Sequence, residues 1–133
     1  MTPRVSIVDV PGAPPPFRTY YSNAVRVAAG DLLFVSGQVA WDAEGQIVGV
    51  GDGPAQARQA FHNLGLVLTA HGATWRDLVR IIVYVTDWSW FEELAALREE
   101  LFPAGGPAST IVQVAGLVQP GLMIEVEGVA VVG

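Results

Sequence analysis

The 133-residue sequence contains no cysteine, which excludes disulfides, thiolate metal sites and a cysteine nucleophile. Lysine is missing as well: the seven basic residues (Arg4, Arg18, Arg26, Arg58, Arg76, Arg80 and Arg98) are all arginines, scattered along a chain of net charge −6. A nucleic-acid footprint needs a clustered basic patch, so nucleic acid is not an expected partner. No stretch approaches the ~20 apolar residues of a membrane span, and the start MTPRVSIVDV lacks the long apolar run of a signal peptide. The expectation is a soluble cytoplasmic protein with no membrane partner. Internal repeats and linkers are absent too, so residues 1–133 read as one domain, with 1–19 forming an N-terminal strand and a proline-rich loop. Charge is scarce: 15% of residues are charged and 51% hydrophobic. That surplus of apolar residues points to surface buried between subunits. A chain of this length can bury a core unaided, and no cofactor is expected.

What is present has clear periodicity. Val5–Val8 reads as a short strand, and Pro11–Pro16 as an extended loop. Asn23–Ala28 and Asp31–Gly37 are strand-like runs joined at Ala29-Gly30, the pattern of a hairpin, with Ser36-Gly37-Gln38 breaking the second run. Val39–Val48 carries a Glu44-Gly45 turn and reads as another short hairpin. Between Pro54, in a first-turn position, and Gly72, in a C′ position, the residues Ala57, Ala60, Phe61, Leu64, Val67 and Leu68 form one helical stripe. Val79–Thr86 follows as a strand. Ser89-Trp90-Phe91-Glu92 has the form of a capping box opening a second helix to about Leu101. Ser109–Ala115 and Leu122–Val132 are strands separated by a turn at Gln119-Pro120-Gly121. The order β-β-β-α-β-α-β-β gives an α+β domain with a mixed sheet and both helices on one face. The other face then needs a partner, and further copies of the chain are the simplest source.

Several residues have a structural and a chemical reading. Glu125 and Glu127 share one face of the last strand; they are either a solvated face or a pocket wall with a proton carrier. Tyr21 is either an interface tyrosine or a ligand-orienting hydroxyl. Ser36-Gly37 is either a strand irregularity or a place where backbone N–H groups and a hydroxyl meet a ligand. Trp88 and Trp90 either fill core and interface or wall a cleft that selects a bulky ligand. Arg98 falls mid-arc on the apolar side of its helix, so it must snorkel to water or find a carboxylate. His62 and His71 lack a third ligand at metal spacing, so no metal is expected. The run Gly49–Gly53 has no P-loop spacing and reads as a loop.

Six segments in order carry a resemblance across Tyr20–Val131: Tyr21-Ser22-Asn23-Ala24-Val25, Phe34-Val35-Ser36-Gly37-Gln38, Ala57 through Leu64, Val79 through Asp87, Pro107-Ala108-Ser109-Thr110, and Ile124 through Ala130. Together they resemble the Rid (YjgF) family. The resemblance implies a chorismate-mutase-like fold, a homotrimeric barrel and clefts between subunits. It further implies hydrolysis of reactive enamines and imines to ketoacids and ammonia, with an arginine holding the substrate carboxylate and a glutamate with a bound water moving protons. Glu125, Tyr21, Ser36 and Gly37 match that pattern. The arginine of the deaminating branch is Ser109 here, and its second-helix asparagine is Ala95.

The implied catalytic pair is therefore Glu125 and Tyr21. The implied substrate-binding residues are Ser36, Gly37, Trp88, Phe91, Ser109, Thr110 and Arg98. Arg98 lies one turn beyond Ala95, from where a guanidinium could replace the charge missing at position 109. Two functions fit: a divergent enamine/imine hydrolase or related cyclase/hydrolase, distinct from a standard 2-aminoacrylate deaminase; or a non-catalytic metabolite-binding or accessory protein.

Overall fold

The computed structural model describes residues 4–133; residues 1–3 of the expected N-terminal segment lie outside that range. The elements follow the expected order: β1 (Val5–Val8), β2 (Ala24–Val27), β3 (Asp31–Val39), α1 (Gly53–Ala70), β4 (Leu78–Val85), α2 (Phe91–Leu101), β5 (Ala108–Gln113) and β6 (Ile124–Val132). Four strands form a mixed sheet in the order β3-β6-β4-β5. β6 is antiparallel to both of its neighbours, whereas β4 and β5 are parallel. A parallel pair needs a long crossover, and α2 supplies it.

α1 forms where its end signals and its stripe agree. The Asp52 carboxylate accepts from the Ala55 N–H at 3.0 Å, and Pro54 occupies the first turn. Gly72, at φ +69°, follows the C-cap His71. Ala57, Ala60, Phe61, Leu64 and Leu68 are buried together with Leu94, Ala95 and Leu97 of α2 and with Ile81, Val83, Ile124 and Val126 of the sheet. Both helices thus cover one face, giving the α+β architecture. The other face carries Phe34, Arg80, Ile82, Tyr84, Glu125 and Glu127, with Phe34 73% exposed.

Pairing partners differ from the sequence reading in three places. β2 pairs with β1 in a separate two-stranded sheet, so Ala29-Gly30 does not close a hairpin with β3. Alternation shows that a run can pair but not with which strand. Gly30, at φ +119°, lies against Val131 and Val132 of β6 and turns the chain from one sheet into the other. Second, β3 continues through Ser36-Gly37 to Val39, and its register with β6 shifts between Val35 and Gln38 as a bulge. Third, Ser89 does not cap α2. Asp87 accepts from the Ser89 N–H (3.0 Å) and hydroxyl (2.6 Å), and the N-cap position falls to Trp90. The Trp90 ring packs over Gly53, where a Cβ would collide with it. The Gly45 turn forms as expected, with Trp41 bridged to Ile47.

Candidate functional site

The β3 bulge and β6 build the first cluster. A Cβ at Gly37 would fall 2.7 Å from Oε2 of Glu125, so the missing side chain is what lets that carboxylate lie over the bulge. Ser36, exposed, precedes it. Glu125 makes no side-chain hydrogen bond or ion pair among the described residues. Its neighbour Glu127 is engaged, accepting from the Tyr84 hydroxyl at 2.8 Å. Burial, with a smaller contribution from the Glu127 charge, raises the Glu125 pKa. The start of β6 is held by Gln56, which is fully buried in α1. Its amide donates to the carbonyls of Gly121 (2.8 Å) and Gly49 (3.1 Å) and accepts from the Met123 N–H (2.8 Å).

The second cluster lies at the β5 edge. A cavity of about 420 Å³ is walled by Tyr20, Tyr21, Phe91 and Ile111, with Phe17 and Arg18 also lining it. Arg98 and Ser109 complete the lining. Arg98 Nη2 donates to the Ser109 hydroxyl at 2.7 Å, and the guanidinium stacks 4.4 Å from the Tyr20 ring centroid. Only 2% of Arg98 is exposed, so it does not snorkel to water, and it is not paired with Glu93, Glu99 or Asp87. Its Nε has no acceptor among the described residues. Burial lowers its pKa to about 10, which leaves it charged at neutral pH. A buried charge with no counter-ion is costly. The position where the resemblance implies an arginine therefore holds a serine that receives a guanidinium from α2.

The Tyr20–Ser22 segment is fixed beside the start of β5. The Ser22 hydroxyl donates to the Gly106 carbonyl at 2.6 Å, and the Ser22 N–H donates to the Pro107 carbonyl at 3.1 Å. Tyr21 Oη accepts from the Phe17 N–H at 2.9 Å. Arg18 lies 5.4 Å from the centroid of the Phe91 ring and is bound to Glu92 at 2.9 Å.

Within one subunit the expected residues divide between the two faces of the sheet. Ser109 pairs beside Ile81 on the helix-covered face; Glu125 pairs beside Tyr84 on the open face. Tyr21, Phe91, Ser109 and Arg98 share the cavity. Ser36 and Gly37 accompany Glu125. Thr110 is on the open face, accepting from Arg80 at 2.9 Å. Trp88 contacts the Phe91 ring edge-on at 6.0 Å and does not itself line the cavity. Trp90 is core. Phe17, Tyr20 and Ile111 were not singled out from sequence; the tandem Tyr20-Tyr21 was the available signal for one of them.

A larger groove of about 540 Å³ lies between α1 and α2, but its charges Arg58 and Glu100 are paired with each other at 3.3 Å. Among the described residues no group of three His, Asp or Glu could hold a metal, and no helix is long and apolar enough to cross a membrane.

Comparison with known proteins gives consistent matches. Residues 12–132 match the family described as Endoribonuclease L-PSP. The 3-aminoacrylate deaminase RutC of Acinetobacter baylyi is 32% identical over 119 residues, spanning 90% of this chain and 91% of that protein. The crystal structure of YyfB from Yersinia pestis, described as a protein of unknown function of the conserved Rid family, superposes with a TM-score of 0.89 at 32% identity, covering 97% of this chain and 99% of that one. Rv2704 from Mycobacterium tuberculosis, a member of the YjgF/YER057c/UK114 family, gives 0.66 at 35% identity, covering 84% and 86%.

Proposed function

We propose a function from one premise: the chain belongs to the endoribonuclease L-PSP family, the Rid or YjgF group. The protein is a small-molecule enzyme that hydrolyses a reactive enamine or imine in a cleft between subunits. The observation that carries this reading is Glu125, unpartnered over Gly37 with its pKa raised by burial. A carboxyl in that state holds its proton more firmly than an ordinary carboxylate and can serve both as donor and as acceptor. An enamine gains a proton at carbon to become an iminium; water adds at the C=N carbon and loses a proton; the adduct expels ammonia and leaves a ketone. Glu125 carries the proton in the first two steps, and Tyr21 and Ser36 orient the ligand. RutC is named for deamination of such a compound, 3-aminoacrylate.

Since Glu125 and the Arg98–Ser109 pair face opposite sides of one sheet, a substrate reaches both only where two copies meet. A homotrimer whose interfaces bury the open face would place Glu125 of one copy opposite the cavity of the next. Each subunit should then lose well over ~1,000 Å² to its neighbours. Light scattering at micromolar protein is expected to give the mass of three copies; a monomer mass would remove the shared cleft.

Ammonia release tests the chemistry directly. With 2-aminoacrylate, turnover is expected to be slow, because position 109 offers a hydroxyl where the deaminating relatives offer a charged fork, and the guanidinium that reaches it comes from α2 behind it. Turnover equal to that of an arginine-bearing relative assayed alongside would overturn this. No release from any reactive imine would favour the non-catalytic binding role. Ribonuclease activity is not proposed: three of the arginines are bound to carboxylates at Asp77, Glu92 and Glu100 and form no basic stripe.

A further inference from the structure

We infer that the cavity beside β5 is an anion site, in which Arg98 with Ser109 takes the carboxylate of a ligand whose remainder is apolar and ring-sized. Three observations converge on it. Arg98 is only 2% exposed and lines the cavity, and among the described residues it has no carboxylate partner and its Nε is unbonded. Arg18, the other cation on the cavity wall, is already bound to Glu92. And the rest of the lining is Phe17, Tyr20, Tyr21, Phe91 and Ile111, side chains that favour an apolar body over a small polar one.

Chain geometry explains why the site suits a larger ligand than a three-carbon acid. A guanidinium on β5 would stand at the edge strand itself and fill the space above Ser109. Arg98 instead comes from α2, beneath the Tyr20 ring, so the charge is recessed and the volume above it is left to the ligand. The Tyr20 ring holds one face of the guanidinium, and the Ser109 hydroxyl orients its Nη2 edge; a carboxylate can take the remaining N–H groups in its plane. As a substrate class this points to imino or enamino acids with an aryl or bulky branched side chain. That last step rests on the enzymatic reading above; the anion site does not.

Phenylacetate, its neutral amide phenylacetamide, and acetate are the probes, titrated calorimetrically into the intact protein. Phenylacetate is expected to bind at one per subunit, and phenylacetamide and acetate each roughly thirtyfold more weakly or worse. Arg98→Met is expected to lose phenylacetate by the same factor while keeping the weak amide binding. Equal affinity for acid and amide, or no binding of either, would overturn the anion site. Equal affinity for acetate and phenylacetate would overturn the apolar half. Undiminished phenylacetate binding by folded Arg98→Met would make Arg98 a packing residue. If that variant does not fold, the acid-to-amide ratio on the intact protein decides alone. Arg58→Met, which removes an arginine paired with Glu100 in the groove between the helices, should bind phenylacetate unchanged, and an equal loss there would overturn the assignment of the anion to Arg98. Binding is read without turnover, so a failure of catalysis and a failure of this site are told apart.

Discussion

Glu125→Gln should release ammonia from a reactive imino acid about 10²–10⁴-fold more slowly than the intact protein, with the same mass in solution. Glutamine keeps the size of the side chain and its fit over Gly37, but it has no proton to exchange. The same change should alter stability in the opposite sense. Burial raises the Glu125 pKa in the folded state, so the folded chain binds more protons at this site than the unfolded chain does. The stability associated with the group is therefore complete below the ordinary carboxylate value and is lost as pH rises through the raised one. Thermal melts of the intact protein should decline across that window relative to the glutamine variant, which has nothing to titrate there. Glu127 faces the same side but is held by Tyr84 in both proteins. Unchanged turnover in Glu125→Gln would reduce Glu125 to a solvated strand residue and remove the proposed chemistry.

Gly106→Ala is expected to be the most destabilising single methyl addition near the cavity. A Cβ there would land on the Tyr20 carbonyl and 3.2 Å from the Tyr21 nitrogen. These are backbone atoms, which cannot rotate aside as a side chain can. The hydrogen bonds from Ser22 to Gly106 and Pro107 hold the two segments at this spacing. The methyl must pry them apart, at a cost of about 3 kcal/mol or more, the upper end of overpacking. At this chain length that corresponds to a melting-temperature drop of roughly 10 °C. Phenylacetate binding should fall with it, because Tyr20 and Tyr21 wall the cavity. Gly116→Ala, which meets nothing within 4 Å, is the control and should stay within about 0.5 kcal/mol. Matching melts for the two variants would contradict the close approach.

Local chemistry was legible where one segment carries its own signal. The α1 stripe with Pro54 and Gly72, the Gly45 turn and the element order all come from neighbours a few residues apart. Partner choice was not legible. The runs now assigned to β2 and β3 look like hairpin arms, and only the position of β6 separates them. The Ser89 motif satisfies the capping pattern, yet its hydroxyl donates to Asp87, two residues back. Gln56 shows the limit best: a polar side chain inside an apolar helix has no visible reason until Gly49, Gly121 and Met123 are brought to it. Arg98 was legible as an anomaly at the centre of an apolar arc. Its contact with Ser109 depends on the parallel register of β5 against β4, which no local pattern encodes.

β6 sits between β3 and β4 although it is the last of the four strands to be synthesised. Until Ile124–Val132 has left the ribosome, β3 lacks its sheet partner and β4 has β5 alone. The register that joins Asp31 to Val132 closes one of the longest loops the described chain permits, a slow step in any folding order. The sheet therefore closes only once β6 is available, and until then β3 and β4 each present an unpaired edge. Translation that stalls short of position 124 leaves an aggregation-prone intermediate, and the helices, which form locally, give it no protection.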